Sequence, residues 1–113
     1  MTCMYYLTRT PEELKLMYGD ALVNNREEPF VKGDPERMSR QILAAKKPCL
    51  AFKILAAGRN CGSTQGIDEC FRLAYSNIKA SDAVIVGMYP ALMDEVRMDA
   101  DLGRKYGAFA LIA

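Results

Sequence analysis

The sequence predicts an α/β protein built from parallel βα units, and three observations carry that expectation. The apolar run Cys49-Leu50-Ala51-Phe52-Lys53-Ile54-Leu55 stops at the turn Ala56-Ala57-Gly58-Arg59. A second run, Ala83-Val84-Ile85-Val86, stops in the same way at Gly87-Met88-Tyr89-Pro90. A segment of helical period follows each turn, and that alternation of buried strand, glycine turn and amphipathic helix is the pattern of βα units. Such units place their chemistry in the loops after the strands.

Taken in order, Met1 to Leu7 reads as a strand. Thr10-Pro11-Glu12-Glu13 starts a helix, with Thr10 as N-cap, Pro11 at the first helical position and Glu13 closing a capping box. Leu14, Met17 and Tyr18 form its inward side, and Asp20 to Lys32 reads as a loop. Gly33-Asp34-Pro35-Glu36 opens a second helix with Met38, Ile42 and Ala45 on one face, closed by Lys46-Lys47-Pro48. After the strand at 49–55, Ile67, Cys70, Phe71, Ala74 and Ile78 mark the clearest helix, opposite Asp68, Glu69, Arg72 and Lys79. Ala83 to Gly87 is the third strand. A last helix, 91–105, presents Leu92, Val96 and Ala100, and the apolar tail from Gly107 to Ala113 is a short strand or an extension of the core.

Composition narrows the function classes. The 113 residues are 50% hydrophobic and 26% charged, an ordinary folded composition able to bury a core. Fifteen basic against fourteen acidic residues leave a net charge of +1, which predicts neither a nucleic acid nor a membrane partner. The apolar runs fall far short of the roughly 20 residues that span a bilayer, and Met1-Thr2-Cys3-Met4 does not read as a signal peptide. The four cysteines, at 3, 49, 61 and 70, include no CxxC pair, and there is no histidine. No metal site is expected, therefore, and the cysteines read as structural thiols of a cytoplasmic protein. The missing histidine also excludes a Ser-His-Asp or Cys-His mechanism within the chain.

The order β-α-α-β-α-β-α is too short for a complete (β/α)8 barrel, which takes about 250 residues. The expectation is a partial TIM barrel, the last three βα units of a (β/α)8 barrel in a single domain. Alternation in the strand 49–55 puts Leu50, Phe52 and Ile54 on the face that meets helices. It puts Cys49, Ala51, Lys53 and Leu55 on the inward face, with Ala83 and Ile85. Open edges and a face covered on one side predict a homo-oligomer.

Lys53, near the carboxyl end of an inward strand, is the candidate catalytic residue, a general-base or Schiff-base lysine if burial lowers its pKa; the alternative is a stem that snorkels to the rim or pairs with a carboxylate. The loops 56–59 and 87–89 form a candidate phosphate site, with Gly58 and Gly87 admitting the ligand and Arg59 clamping it. Two ordinary turns and a solvated arginine are the alternative. Tyr5 and Tyr6 at the end of the first strand offer one hydroxyl to a ligand or, as the commoner alternative, are core tyrosines, and Asp94, Glu95, Asp99 and Asp101 scatter around a helix as a solvated face.

The run Cys49 to Arg59, the helix from Glu69 to Ile78 and the strand Asp82 to Met88 resemble the carboxyl-terminal part of aldo/keto reductase-like barrel proteins. Asp94-Glu95-Val96 is similar to the acidic helix start that follows, and Cys3-Met4-Tyr5-Tyr6-Leu7 to a preceding barrel strand. The resemblance implies NADP as cofactor, its phosphates lined by Gly58, Arg59, Gly87, Met88 and Tyr89. It also implies that the family's catalytic Asp, Tyr, Lys and His belong to earlier strands. The function expected is that of a truncated or uncharacterised aldo/keto reductase-like protein that keeps a phosphate-binding rim and does not transfer hydride alone. The alternatives are a non-catalytic half-barrel that folds by self-association and a small barrel enzyme using Lys53.

Overall fold

The computed structural model describes residues 1–5, 9–18 and 33–107. Within them the chain is mixed α/β, with a three-stranded parallel sheet and four helices. The order is β1 (Thr2–Cys3), α1 (Pro11–Tyr18), α2 (Asp34–Ala44), β2 (Leu50–Phe52), α3 (Thr64–Ser76), β3 (Ala83–Ile85) and α4 (Glu95–Gly107). The strands lie side by side as β1-β2-β3, with Thr2 beside Ala51 and Leu50 beside Ala83. The expectations for residues 6–7, for the side chains of Leu14, Met17 and Tyr18, for the loop 20–32 and for the tail after Gly107 lie outside the described residues.

Local chemistry explains the helix starts. The Thr10 hydroxyl accepts from Glu13 N–H at 3.1 Å, and the Glu13 carboxylate accepts from Thr10 N–H at 2.9 Å. That reciprocal pair is the predicted capping box. Pro35 sits in the first turn of α2, where a missing N–H costs no intrahelical bond. A buried ion pair between Arg9 and Asp34 ties the chain before α1 to the start of α2. At α3 the Ser63 hydroxyl accepts from Gly66 N–H at 3.0 Å.

Both α2 and α3 bury the predicted stripes. Ile42, Ile67, Phe71 and Ala74 are nearly inaccessible and share one core with Cys49 and Ala51, while Met38, Ala45, Cys70 and Ile78 pack around it. Two members of the predicted solvated side of α3 are engaged instead. Asp68 accepts from Lys105 Nζ at 2.9 Å and from Tyr106 Oη at 2.6 Å, joining α3 to α4. Lys79 lies beyond the helix and binds Asp82.

The face assignment of the middle strand is corrected. Ala51 is 0% exposed against the helices, whereas Leu50 is 41% and Ile85 42% exposed on the other side. The bulk at the sheet–helix interface comes from Ile42 and Phe71, so a small residue on the strand lets the helices approach. Leu50 and Phe52, registered beside Ala83 and Ile85, form the open face. The strand is also shorter than expected. Lys53 adopts φ 58°, and Ala56 and Ala57 follow at 53° and 52°, left-handed values that end the extended run. Alternation fails there, and both Ile54 and Leu55 turn into the core.

The last helix is corrected in phase. It starts at Glu95 because Asp94 caps it, its Oδ1 accepting from Arg97 N–H at 3.1 Å. Leu92 lies before it and is 89% exposed, and Val96 and Ala100 face outward. Met98, Leu102 and Tyr106 pack toward the core instead. Gly103 and Gly107 admit α4 to the ring of Tyr75; a Cβ on Gly107 would stand 3.2 Å from Tyr75 Cε1.

Candidate functional site

Beyond Phe52 the chain curls through overlapping turns, with Ala56 N–H donating to Lys53 O at 3.0 Å and Asn60 N–H to Leu55 O at 3.1 Å. The left-handed residues bring this loop over the carboxyl ends of β2 and β3. Gly58, at φ +88°, occupies a conformation that side chains rarely adopt. The loop after β3 runs out beside it, and a cleft of about 580 Å³ opens between the two. Its size suits a small ligand.

Five of the six predicted site residues meet there. Lys53, Gly58, Gly87, Met88 and Tyr89 all line the cleft, with Phe52 and Ile85 of the open sheet face continuing its floor. Lys53 is half-buried. Arg59 is not among the lining residues; its guanidinium donates to Ala56 O at 3.3 Å. Tyr5 belongs to the same end of the sheet, where its hydroxyl accepts from Asn60 Nδ2 at 3.3 Å.

Two further lining residues escaped the sequence reading, Cys61 and Glu95. The Glu95 carboxylate accepts a hydrogen bond from Tyr89 N–H and so closes the loop 89–95 on itself. Desolvation first, then the charges of Glu95 and Asp99, push the Cys61 thiol above its usual pKa. That shift favours the thiol over the nucleophilic thiolate. The signal for Glu95 was its place at the start of the helix that follows the β3 loop; nothing in the spacing marked Cys61.

Asp99, one turn along α4, is 5% exposed, and its Oδ1 has no hydrogen-bond donor among the described residues. Desolvation and then the neighbouring Glu95 raise its pKa. It was expected on a solvated face, but the phase of α4 turns it inward. Among the described residues no group of three or more Cys, Asp or Glu could hold a metal ion. No helix among them is long and apolar enough to cross a membrane.

A second hollow, about 380 Å³, lies along α4 between Asp94, Arg97, Met98, Asp101 and Leu102. It is shallow and built by a single stretch of chain, whereas the cleft draws its walls from two strand ends and both following loops. The cleft is the better candidate site. No protein-family model, curated protein or solved structure matches the chain.

Proposed function

We propose that the chain is a ligand-binding unit of partial (β/α)8 barrel type, resembling the closing part of an aldo/keto reductase-like barrel. In this reading the cleft takes the phosphate end of a nucleotide such as NADP, and the chain alone does not transfer hydride. One observation carries the reading: two glycine-bearing loops and a half-buried lysine converge on one cleft at the carboxyl ends of parallel strands. In this reading the open face that leads into it, Leu50, Phe52, Ala83 and Ile85, would correspond to the lumen side of a barrel. Lys53 replaces Arg59 as the cation that meets the phosphate, since Arg59 stands outside the lining.

Calorimetric titration with NADP, 2′-phosphoadenosine and unphosphorylated adenosine tests this. Lys53→Met is expected to weaken the phosphorylated ligands roughly tenfold or more, the size of one charge-assisted hydrogen bond, and Arg59→Ala to leave them within a factor of two or so. Failure of both phosphorylated ligands to bind at millimolar concentration would remove the reading.

Self-association is a second reading, and the exposure of Leu50 and Ile85 on the uncovered sheet face favours it. Two copies closing face to face would dry that surface, at about 25 cal/mol per Å² of apolar area. Light scattering at micromolar concentration decides it: a homodimer that Ile85→Lys dissociates supports the reading, and a monomeric wild type ends it.

A further inference from the structure

Resting on the reading that the cleft takes a phosphate, we infer that Glu95 is a built-in occupant of the phosphate position and sets how tightly the cleft binds its ligand. The Glu95 carboxylate lines the cleft and accepts from Tyr89 N–H, a backbone donor of the loop after β3. Backbone N–H groups of turns and loops are donors that can hold phosphate oxygens. One N–H cannot serve both anions at full strength, and two negative charges at contact distance repel. A phosphate therefore enters this position only when Glu95 leaves it.

The helix permits that exchange. Asp94, not Glu95, caps α4 through Arg97 N–H, so the Glu95 side chain can rotate away without unravelling the first turn. Lys53 borders the same cleft. The apparent affinity for phosphate is then the intrinsic affinity reduced by the fraction of molecules in which Glu95 has moved aside. Removing this competitor is expected to tighten phosphate binding roughly tenfold or more, the size of one hydrogen bond to a charged group.

The test compares wild type, Glu95→Gln and Glu95→Ala by calorimetry with 2′-phosphoadenosine and with adenosine, after thermal melts confirm folding. Tighter 2′-phosphoadenosine binding in both variants, larger for Glu95→Ala, with adenosine unchanged, supports the inference. In wild type the Tyr89 amide resonance is expected to move on addition of 2′-phosphoadenosine. Equal affinity across the three proteins overturns the role of Glu95 and leaves the phosphate reading standing. Absence of binding in the folded variants as well as in wild type removes the phosphate reading, and this inference with it.

Discussion

At the amino end of the sheet, Asp82 accepts three hydrogen bonds: from Cys49 N–H at 2.8 Å, Lys79 N–H at 2.7 Å and Lys79 Nζ at 2.9 Å. Lys79 Nζ also donates to Ile42 O, so one carboxylate holds the starts of β2 and β3 and, through the lysine, the last turn of α2. At the carboxyl end, Asp99 is as well hidden, yet one of its oxygens has no donor among the described residues. The backbone differs in the same sense. Three residues other than glycine, Lys53, Ala56 and Ala57, stand in the left-handed region beside the cleft, and among the described residues no other non-glycine position does. Left-handed backbone and an unsatisfied carboxylate thus lie toward the carboxyl end, a difference that the proposed site would account for. At the opposite end the Asp82 carboxylate is engaged by three donors. Parallel α/β folds in general divide stability and function between the two ends of the sheet.

Removing the satisfied carboxylate is expected to have the largest effect. Asp82→Ala leaves the Cys49 and Lys79 amides without an acceptor and should cost about 3 kcal/mol, roughly a 12 °C fall in Tm for a domain of this size. Ligand affinity at the cleft should not change in the folded fraction; a loss of both would break the division of the two ends. The sign with pH follows from the same bonds. Burial alone raises the Asp82 pKa, but the donors from Cys49 and Lys79 outweigh it and hold it below its usual value. The contribution is complete above the unfolded pKa of about 3.9. It is lost as pH falls through the lower folded value, so acid denaturation should be shallower in Asp82→Asn than in wild type.

The legible parts of the molecule were the ones fixed by near neighbours in sequence. The Thr10–Glu13 capping box and the stripes of α2 and α3 depend on residues three or four apart, and each is found as read. The meeting of Lys53, Gly58, Gly87, Met88 and Tyr89 at one cleft follows from strand polarity alone. What depends on partners was not legible. In α4 both 92/96/100 and 98/102/106 have helical spacing, and only packing on Asp68 and Tyr75 of α3 selects the second. The small Ala51 reads as the weaker face until the bulk of Phe71 and Ile42 is placed against it. Cys61 and the burial of Asp99 follow from where the loops and α4 run, which no local pattern encodes; Glu95 carried only the signal of its place at a helix start.

A smaller effect of opposite sign is expected from the unsatisfied carboxylate. The Asp99 pKa is raised, so the folded state binds its proton more tightly than the unfolded state does. Its charged form therefore opposes folding at neutral pH, and the opposition fades as pH falls through the raised folded value. Asp99→Asn removes the charge at nearly constant volume and should stabilise the protein at pH 7 by about 1 kcal/mol, the low end for an unsatisfied buried group. Below the unfolded pKa the gain should vanish. Urea melts of both proteins at neutral and acidic pH measure it. A destabilised Asp99→Asn at pH 7 would mean that Asp99 is satisfied after all and that the two ends do not differ in this respect.

The smallest effect expected is at the strained backbone. Ala57 is exposed, lines the cleft and holds φ at 52°. A left-handed residue with a Cβ carries about 1–2 kcal/mol of strain, which glycine relieves. Glycine also has more freedom to lose on folding, about 0.5–1 kcal/mol relative to alanine. The two oppose each other, and Ala57→Gly should stabilise the fold by only about 0.5 kcal/mol. Its informative readout is binding. The alanine restricts the loop to the shape that frames the cleft, so the glycine variant should melt slightly higher yet bind 2′-phosphoadenosine more weakly, through faster dissociation from a looser wall. A rise in stability with unchanged affinity would show that the strain belongs to the turn alone. Weaker binding alongside the higher Tm would place the strain in the service of the site, and would separate the carboxyl end from the amino end by function as well as by structure.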